Sequence, residues 1–128
     1  MSSTGLALTN NTITSMVDIA LAAGSAVAGS IKWMVSVTDG TDYQAFSGIT
    51  TFAAVNKTGN YTVTVNNNID MDSKAVSAGT LVSTWTVLTG MGKITLRVNV
   101  NSSLTPSANY PKISYSLETD SPTAITYL

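Results

Sequence analysis

One stretch decides the fold of this chain: residues 29–65, with the sequence GSIKWMVSVTDGTDYQAFSGITTFAAVNKTGNYTVTV. Two runs of β-favouring residues flank Asp39-Gly40, a dipeptide typical of tight β-hairpin turns. In residues 31–38, apolar side chains occupy every second position, which predicts an antiparallel strand with one buried face. Residues 61–65 repeat the alternation after a polar turn. The stretch therefore predicts consecutive strands joined by short turns.

The returning arm of this hairpin, residues 41–55, is interpreted as two pieces. Tyr43 is assigned to one phase of the alternation and Phe46 to the other. Ser47-Gly48 follows directly, so the pattern predicts a β-bulge at that dipeptide. We expect the chain after it, residues 49–55, to bend away toward a second sheet, as strands at sandwich corners do.

The rest of the chain continues the pattern of short strands and turns. Residues 81–88, 94–100 and 113–117 alternate in the same way, and Gly90-Met91-Gly92 predicts a second tight hairpin. Residues 12–23 fit either helical or strand spacing, and their β-branched start favours a strand. Together these elements predict an all-β, single-domain, antiparallel β-sandwich that is jelly-roll-like, with seven or eight strands.

The N-terminal segment is predicted to be less ordered than the rest of the chain. Residues 1–11 are small and polar, and we expect them to form an N-terminal arm that is flexible alone or ordered by a partner. The β-sandwich domain is then predicted to span residues 12–128. A segment after residue 123 is expected to add a short edge strand or a tail.

Composition excludes several classes of function. Charged residues make up 10% of the 128 residues, and the net charge is −1, so the chain lacks the basic patch that nucleic-acid binding requires. There is no Cys and no His, which excludes disulfides and thiolate metal sites and removes the commonest general base. No apolar run is long enough for a membrane-spanning helix. We therefore expect a protein that is not an enzyme, with no cofactor and no nucleic-acid or membrane partner.

The carboxylates offer two candidate cation sites. Asp70 and Asp72 are two residues apart, as two ligands of a hard cation such as Ca²⁺ can be, but no calcium-loop pattern follows them. Asp39 and Asp42 bracket the hairpin turn. The favoured interpretation is that Asp39 serves turn geometry and that the other carboxylates are solvated, so no metal site is predicted.

The aromatic residues allow either a core or a sugar-stacking platform. Trp33 and Trp85 lie in phase with apolar neighbours and are predicted to be buried. Tyr110, in a loop beside Pro111, is the best candidate for an exposed contact. A carbohydrate-binding module would need two or three exposed aromatic residues in one groove.

Four segments give the chain a resemblance to a known family. They are GSIKWMVSVTDGTDYQAFSG, AVNKTGNYTVTV, SAGTLVSTWTVLTG and KITLRVNVNSSLTPSANYPKISYSLET. The chain resembles the small β-rich virion proteins of tailed bacteriophages. This resemblance implies a non-enzymatic structural role, most often as a capsid decoration (cement) protein that bridges capsid subunits; other members belong to the tail, baseplate or fibres.

The same resemblance implies partners and a location. The partners would be the major capsid protein or other virion proteins, and the chain itself would form a trimer or dimer. It would be located in the virion, after assembly in the cytoplasm of the host bacterium. The contacts are predicted to come from the arm and from the loop before residue 112, through Leu6, Leu8, Leu104, Tyr110 and Pro111.

Overall fold

The computed structural model describes residues 2–67, 72–120 and 124–128. In these ranges the chain forms ten β-strands and no helix. The strands are β1 Ser2–Ala7, β2 Thr14–Ala20, β3 Ser25–Thr38, β4 Tyr43–Asn56, β5 Tyr61–Asn66, β6 Ser73–Val76, β7 Leu81–Gly90, β8 Lys93–Ser102, β9 Lys112–Thr119 and β10 Ile125–Tyr127. The all-β prediction is confirmed, as is the strand favoured for residues 12–23. β1 and β6 are the additional strands, and neither sequence alternates in a way that would reveal it.

The strands form two antiparallel sheets that face each other as a sandwich. The larger sheet has the order β1-β9-β3-β4-β5, and β6 also pairs with β4. The smaller sheet has the order β10-β2-β8-β7. The antiparallel β-sandwich predicted from the strand pattern is therefore confirmed.

The core lies between the sheets and is built from the buried phase of each strand. Trp33 and Trp85 are each 2% exposed, which confirms the prediction that both are core residues. Trp33 packs edge-on against Phe46 with ring centroids 5.0 Å apart, and Trp85 packs against Tyr115 at 5.8 Å. Aromatic pairs in this geometry add to the stabilisation that burial alone supplies.

The predicted bulge at Ser47-Gly48 is wrong. β3 and β4 pair without a break from Ser25–Asn56 to Thr38–Tyr43, so β4 is one 14-residue strand of the larger sheet. Phe46 and Phe52 are six residues apart and therefore lie on the same, core-facing side. Gly48 shares that side, where the Trp33 indole occupies the space of a side chain.

The outer edge of β4 is divided between two short strands. Its second half, Thr51–Asn56, pairs with β5, and residues Gln44–Ser47 pair with β6. The chain after Ser47 thus stays in the larger sheet, and what changes along β4 is the partner strand.

The predicted hairpin at Asp39-Gly40 is confirmed, and its turn is held by a side chain. Asp39 Oδ1 accepts hydrogen bonds from the backbone N–H groups of Asp42 at 2.7 Å and Thr41 at 2.9 Å. These bonds hold the pKa of the Asp39 carboxyl below its usual range. Gly40 has φ 93°, a backbone conformation that glycine adopts without steric cost.

Residues 2–7, in the predicted arm, form the edge strand β1 against β9. The chain that follows is tied down as well: Leu8 N donates to Pro111 O at 2.7 Å, and Asn11 N donates to Val100 O at 2.8 Å. The domain boundary after residue 11 stays a prediction.

Candidate interaction surfaces

Four of the five predicted contact residues lie in two segments, 8–11 and 103–111, that adjoin at one end of the sandwich. Leu8 reaches Pro111 through its backbone, and Leu6 pairs with Ile113 on β9. Leu6, Leu8 and Leu104 are partly buried and pack against the core. Pro111 is buried, while Tyr110 is half-buried with the Lys112 ammonium 4.8 Å from its ring centroid. Their role as an interface stays a prediction.

We call this region the loop end: residues 8–11, 39–42, 77–80 and 103–111. Its segments are joined through two buried polar residues, Gln44 and Ser102. Ser102 Oγ donates to Gln44 Oε1 at 2.6 Å, and Gln44 Nε2 donates to the carbonyls of Ala78 at 2.9 Å and Thr80 at 3.2 Å. These hydrogen bonds satisfy the buried polar groups of Gln44 and Ser102 and tie the segments of the loop end to one another.

Asn10 connects the N-terminal segment to the same network. Its Nδ2 donates to Ser102 O at 3.0 Å, and its Oδ1 accepts from Ser102 N at 2.8 Å. This two-bond pairing copies the pattern between neighbouring strands of a sheet. The two bonds therefore fix residue 10 beside the end of β8.

A second surface, which the sequence reasoning missed, is the outward side of the larger sheet. We call it the outer face: the even-numbered residues 26–36 of β3, the odd-numbered residues 45–55 of β4, the outward residues 62, 64 and 66 of β5, and 114, 116 and 118 of β9. These positions carry mostly Ala, Ser and Thr, and their charged members are Lys32 and Glu118. Each of these strands carries mostly small, uncharged residues in its outward phase, but only the pairing of the strands places them on one surface.

The outer face has hollows and protruding side chains. One hollow of about 400 Å³ is lined by residues that include Ala45, Phe46 and Ala75. Another of about 410 Å³ is lined by residues that include Ala28, Ala53 and Thr64. Met34 and Val55 protrude and are 62% and 46% exposed.

Four of the six acidic residues that the structure describes, Asp18, Asp39, Asp42 and Asp120, accept hydrogen bonds within the fold. Asp42 accepts a hydrogen bond from Ser77 Oγ at 2.8 Å. Asp18 accepts a hydrogen bond from Thr95 Oγ1 at 2.6 Å and forms an ion pair with Lys93 at 3.0 Å. Asp70 lies outside the described residues. Within the described ranges, no three carboxylates come close enough together to hold a metal ion.

Asp72 differs from the solvated carboxylate that the sequence suggested. Its Oδ1 is buried and makes no hydrogen bond with the described residues, and it lies against the Gly48 backbone. Burial raises the pKa of this carboxyl, and the charge of Lys74 opposes the rise. The group belongs to the packing between β4 and the chain that precedes β6.

Most of the aromatic side chains lie in the core rather than on the surface. Both Trp residues and Tyr115 are buried. Tyr43 is 63% exposed beside the turn of the β3–β4 hairpin, and the Tyr61 hydroxyl accepts a hydrogen bond from Gly92 N at 2.7 Å. The described residues also include no helix that is long and apolar enough to cross a membrane.

Comparison with known proteins shows the fold alone. No protein-family model matches the chain, and no curated protein is significantly similar to it in sequence. Among solved structures, the chain is similar to the tailspike protein of Acinetobacter baumannii phage AM24, with a TM-score of 0.50 and 11% sequence identity. The match covers 100% of this chain and 28% of the tailspike chain, so the whole β-sandwich corresponds to about a quarter of that protein.

Proposed function

We propose that this chain is a non-enzymatic structural component of a bacteriophage virion, and that it belongs to the tail apparatus as a tail, baseplate or fibre module. The observation that carries the proposal is the likeness of the entire chain to one segment of a phage tailspike. A module of a larger spike needs a stable sandwich and surfaces for neighbours. The loop end and the outer face supply such surfaces.

The chemistry of the chain supports a structural role. It contains no His and no Cys, and the described carboxylates Asp18, Asp39 and Asp42 accept hydrogen bonds that stabilise turns and strand pairs. A hydrolase would need a base and a nucleophile, or two carboxylates, that converge on one cleft. The hollows of the outer face are instead shallow and mostly apolar, and none of the described residues that line them is a carboxylate.

The experiment that tests the proposal locates the chain on the particle. Antibodies against the purified chain, coupled to gold, are applied to particles of the phage that encodes it and observed by electron microscopy. Quantitative mass spectrometry of the same particles gives the copy number. Label at the tail, with a few to dozens of copies, is the expected result.

The other outcomes decide between the alternatives. Hundreds of copies and label over the shell would overturn the tail position and favour a capsid decoration protein that contacts the major capsid protein. Particles that carry no copies would overturn a virion role altogether. Particles that lack the chain through gene deletion serve as the control for antibody specificity.

A further inference from the structure

We propose that two copies of this chain associate face to face through the outer face. The two-fold axis lies between the two sheets and runs across the strands, perpendicular to them, at the level of Ile31. The backbone register places Ile31 beside Thr50 on β4 and beside Leu117 on β9. The inference concerns self-association in solution and does not depend on a position in a virion. It rests on steric and charge matches that this axis produces.

The axis brings each protruding side chain opposite a hollow. A rotation about the level of Ile31 exchanges positions three residues above and below it, so Met34 of one copy faces Ala28 of the other. On β4 the same rotation about Thr50 places Val55 opposite Ala45. Met34 and Val55 are 62% and 46% exposed, and they meet the hollows lined by Ala28 and by Ala45, of about 410 and 400 Å³.

The same axis pairs the two charges of the outer face. Lys32 of one copy lies over Ser30 of the other, and the cross-strand neighbour of Ser30 is Glu118. Neither Lys32 nor Glu118 forms a salt bridge with the described residues of its own chain. Two symmetric Lys32–Glu118 pairs would therefore neutralise the face as it is covered, and opposite charges that meet in this way favour the correct register.

The area is sufficient for a specific dimer of weak affinity. Eleven residues of β3 at about 3.4 Å each, across a width of roughly 15 Å, give roughly 550 Å² per copy, or about 1,100 Å² in total. Specific interfaces begin at about 1,000 Å². Because Ala, Ser and Thr dominate the face, the two sheets can approach closely and cover most of this area.

A crosslinking experiment tests the register. The chain has no Cys, so a Ser47→Cys, Ala53→Cys double variant carries thiols that the axis brings face to face between copies. Within one chain these positions are separated by about 20 Å along β4. A short bismaleimide is expected to give a covalent dimer with the double variant and monomer with either single variant. No dimer with the double variant, or equal crosslinking of the single variants, would overturn the proposed axis.

Sedimentation equilibrium tests the surface itself. Ala53→Arg places an unpaired charge in the face and is expected to raise the dimer Kd about tenfold or more. The matched control, Ala20→Arg on the outward side of the smaller sheet, is expected to leave the Kd within about threefold of wild type. A wild-type chain that stays monomeric at about 100 µM, which is about a hundredfold above a Kd of about 1 µM, would overturn the proposal. A wild-type chain that forms a trimer would also overturn it.

Charge reversal provides a test that does not depend on the added bulk of Arg. Lys32→Glu should raise the Kd about tenfold because it places two acidic residues together across the interface. The Lys32→Glu, Glu118→Lys double variant should restore the Kd to within about threefold. A double variant as weak as the single one would contradict the Lys32–Glu118 pairing.

Discussion

At the residue scale, the packing around Gly48 explains an apparent irregularity in β4. Gly48 points into the core, where the Trp33 indole lies over its backbone and Asp72 lies beside it. Trp33 in turn donates a hydrogen bond from Nε1 to Thr50 Oγ1 at 3.1 Å, so the buried N–H of the indole has a partner within the same sheet. Gly48 therefore does not interrupt β4. Its missing side chain leaves the space that the indole of Trp33, on the neighbouring strand β3, occupies.

Replacement of Gly48 should therefore be costly. A Cβ at position 48 would lie 2.7 Å from Trp33 Cζ2 and would contact Asp72 Oδ1. We expect Gly48→Ala to lower the free energy of unfolding by about 1–3 kcal/mol, the usual cost of overpacking a core. Urea denaturation measures it, with Ser47→Ala on the opposite side as a control that changes stability by about 0.5 kcal/mol or less. An unchanged midpoint for Gly48→Ala would show that the Trp33 contact is not tight.

Asp72 gives a pH-dependence with a defined sign. Burial raises the pKa of its carboxyl in the folded chain, so ionisation is less favourable in the folded than in the unfolded state. The stability linked to this group is fully present below the unfolded pKa, about 4, and is lost as the pH rises through the folded pKa. Asp72→Asn removes this loss and should gain stability relative to wild type as the pH increases.

Thermal or urea unfolding of both proteins across the acidic range to neutral pH measures the difference. The comparison with wild type is needed because Asp18 and Asp39 have lowered pKa values and contribute stability of the opposite pH-dependence. A wild-type-minus-variant difference that is constant with pH, or that reverses, would contradict the buried position of Asp72.

At the element scale, two side chains cover part of the edge of β7. Asn67 Oδ1 accepts from Trp85 N at 3.0 Å, and Asn67 Nδ2 donates to Trp85 O at 3.3 Å. Lys74 Nζ donates to Leu81 O at 2.9 Å on the same edge. β7 has no charged residue or proline of its own, the devices by which exposed edge strands avoid pairing with other chains, so these contacts serve that purpose along part of the strand.

Removal of the Asn67 amide should expose this edge. We expect Asn67→Ala to lower stability by about 1–3 kcal/mol, since the backbone groups of Trp85 lose both partners. Hydrogen exchange at the Trp85 amide should accelerate more than exchange at strands of the opposite sheet. Asn101→Ala, at an exposed position of β8, is the matched control. Unchanged exchange at Trp85 would mean that the amide is protected by something other than Asn67.

Some elements were predictable from the sequence, and the reasons for the failures are physical. Strands that bury one face, such as β3 and β8, can be recognised in the sequence because burial of that face places an apolar residue at every second position. β6 is exposed at all four residues, so no such constraint shaped its sequence. The false bulge came from Tyr43, which is exposed in phase with Ala45; aromatic character alone did not mark the buried side.

At the scale of the whole molecule, the sequence drew attention to apolar residues of the loop end but not to the outer face. Leu8, Leu104 and Pro111 are apolar residues in polar segments, and their role as contacts stays a prediction. They pack on the core, which the sequence does not reveal because long-range contacts decide it. The outer face is formed by outward residues of four paired strands. Its small residues can be recognised as one surface only when it is known which strands are neighbours and in what register they pair.

The N-terminal segment decides where the folded unit begins. Deletion of residues 1–11 removes β1, the partly buried Leu6 and Leu8, and the two bonds between Asn10 and Ser102. We expect the truncated chain to lose roughly 3–5 kcal/mol of stability, from lost apolar burial and hydrogen bonds. Asn10→Ala should lose about 1–2 kcal/mol because it breaks only the side-chain bonds, and Thr9→Ala, at an exposed position, should change little. Urea denaturation separates two models: a truncated chain with the wild-type midpoint would mean that residues 1–11 are an independent arm, available to bind a partner without cost to the fold, whereas the expected loss makes them part of the sandwich.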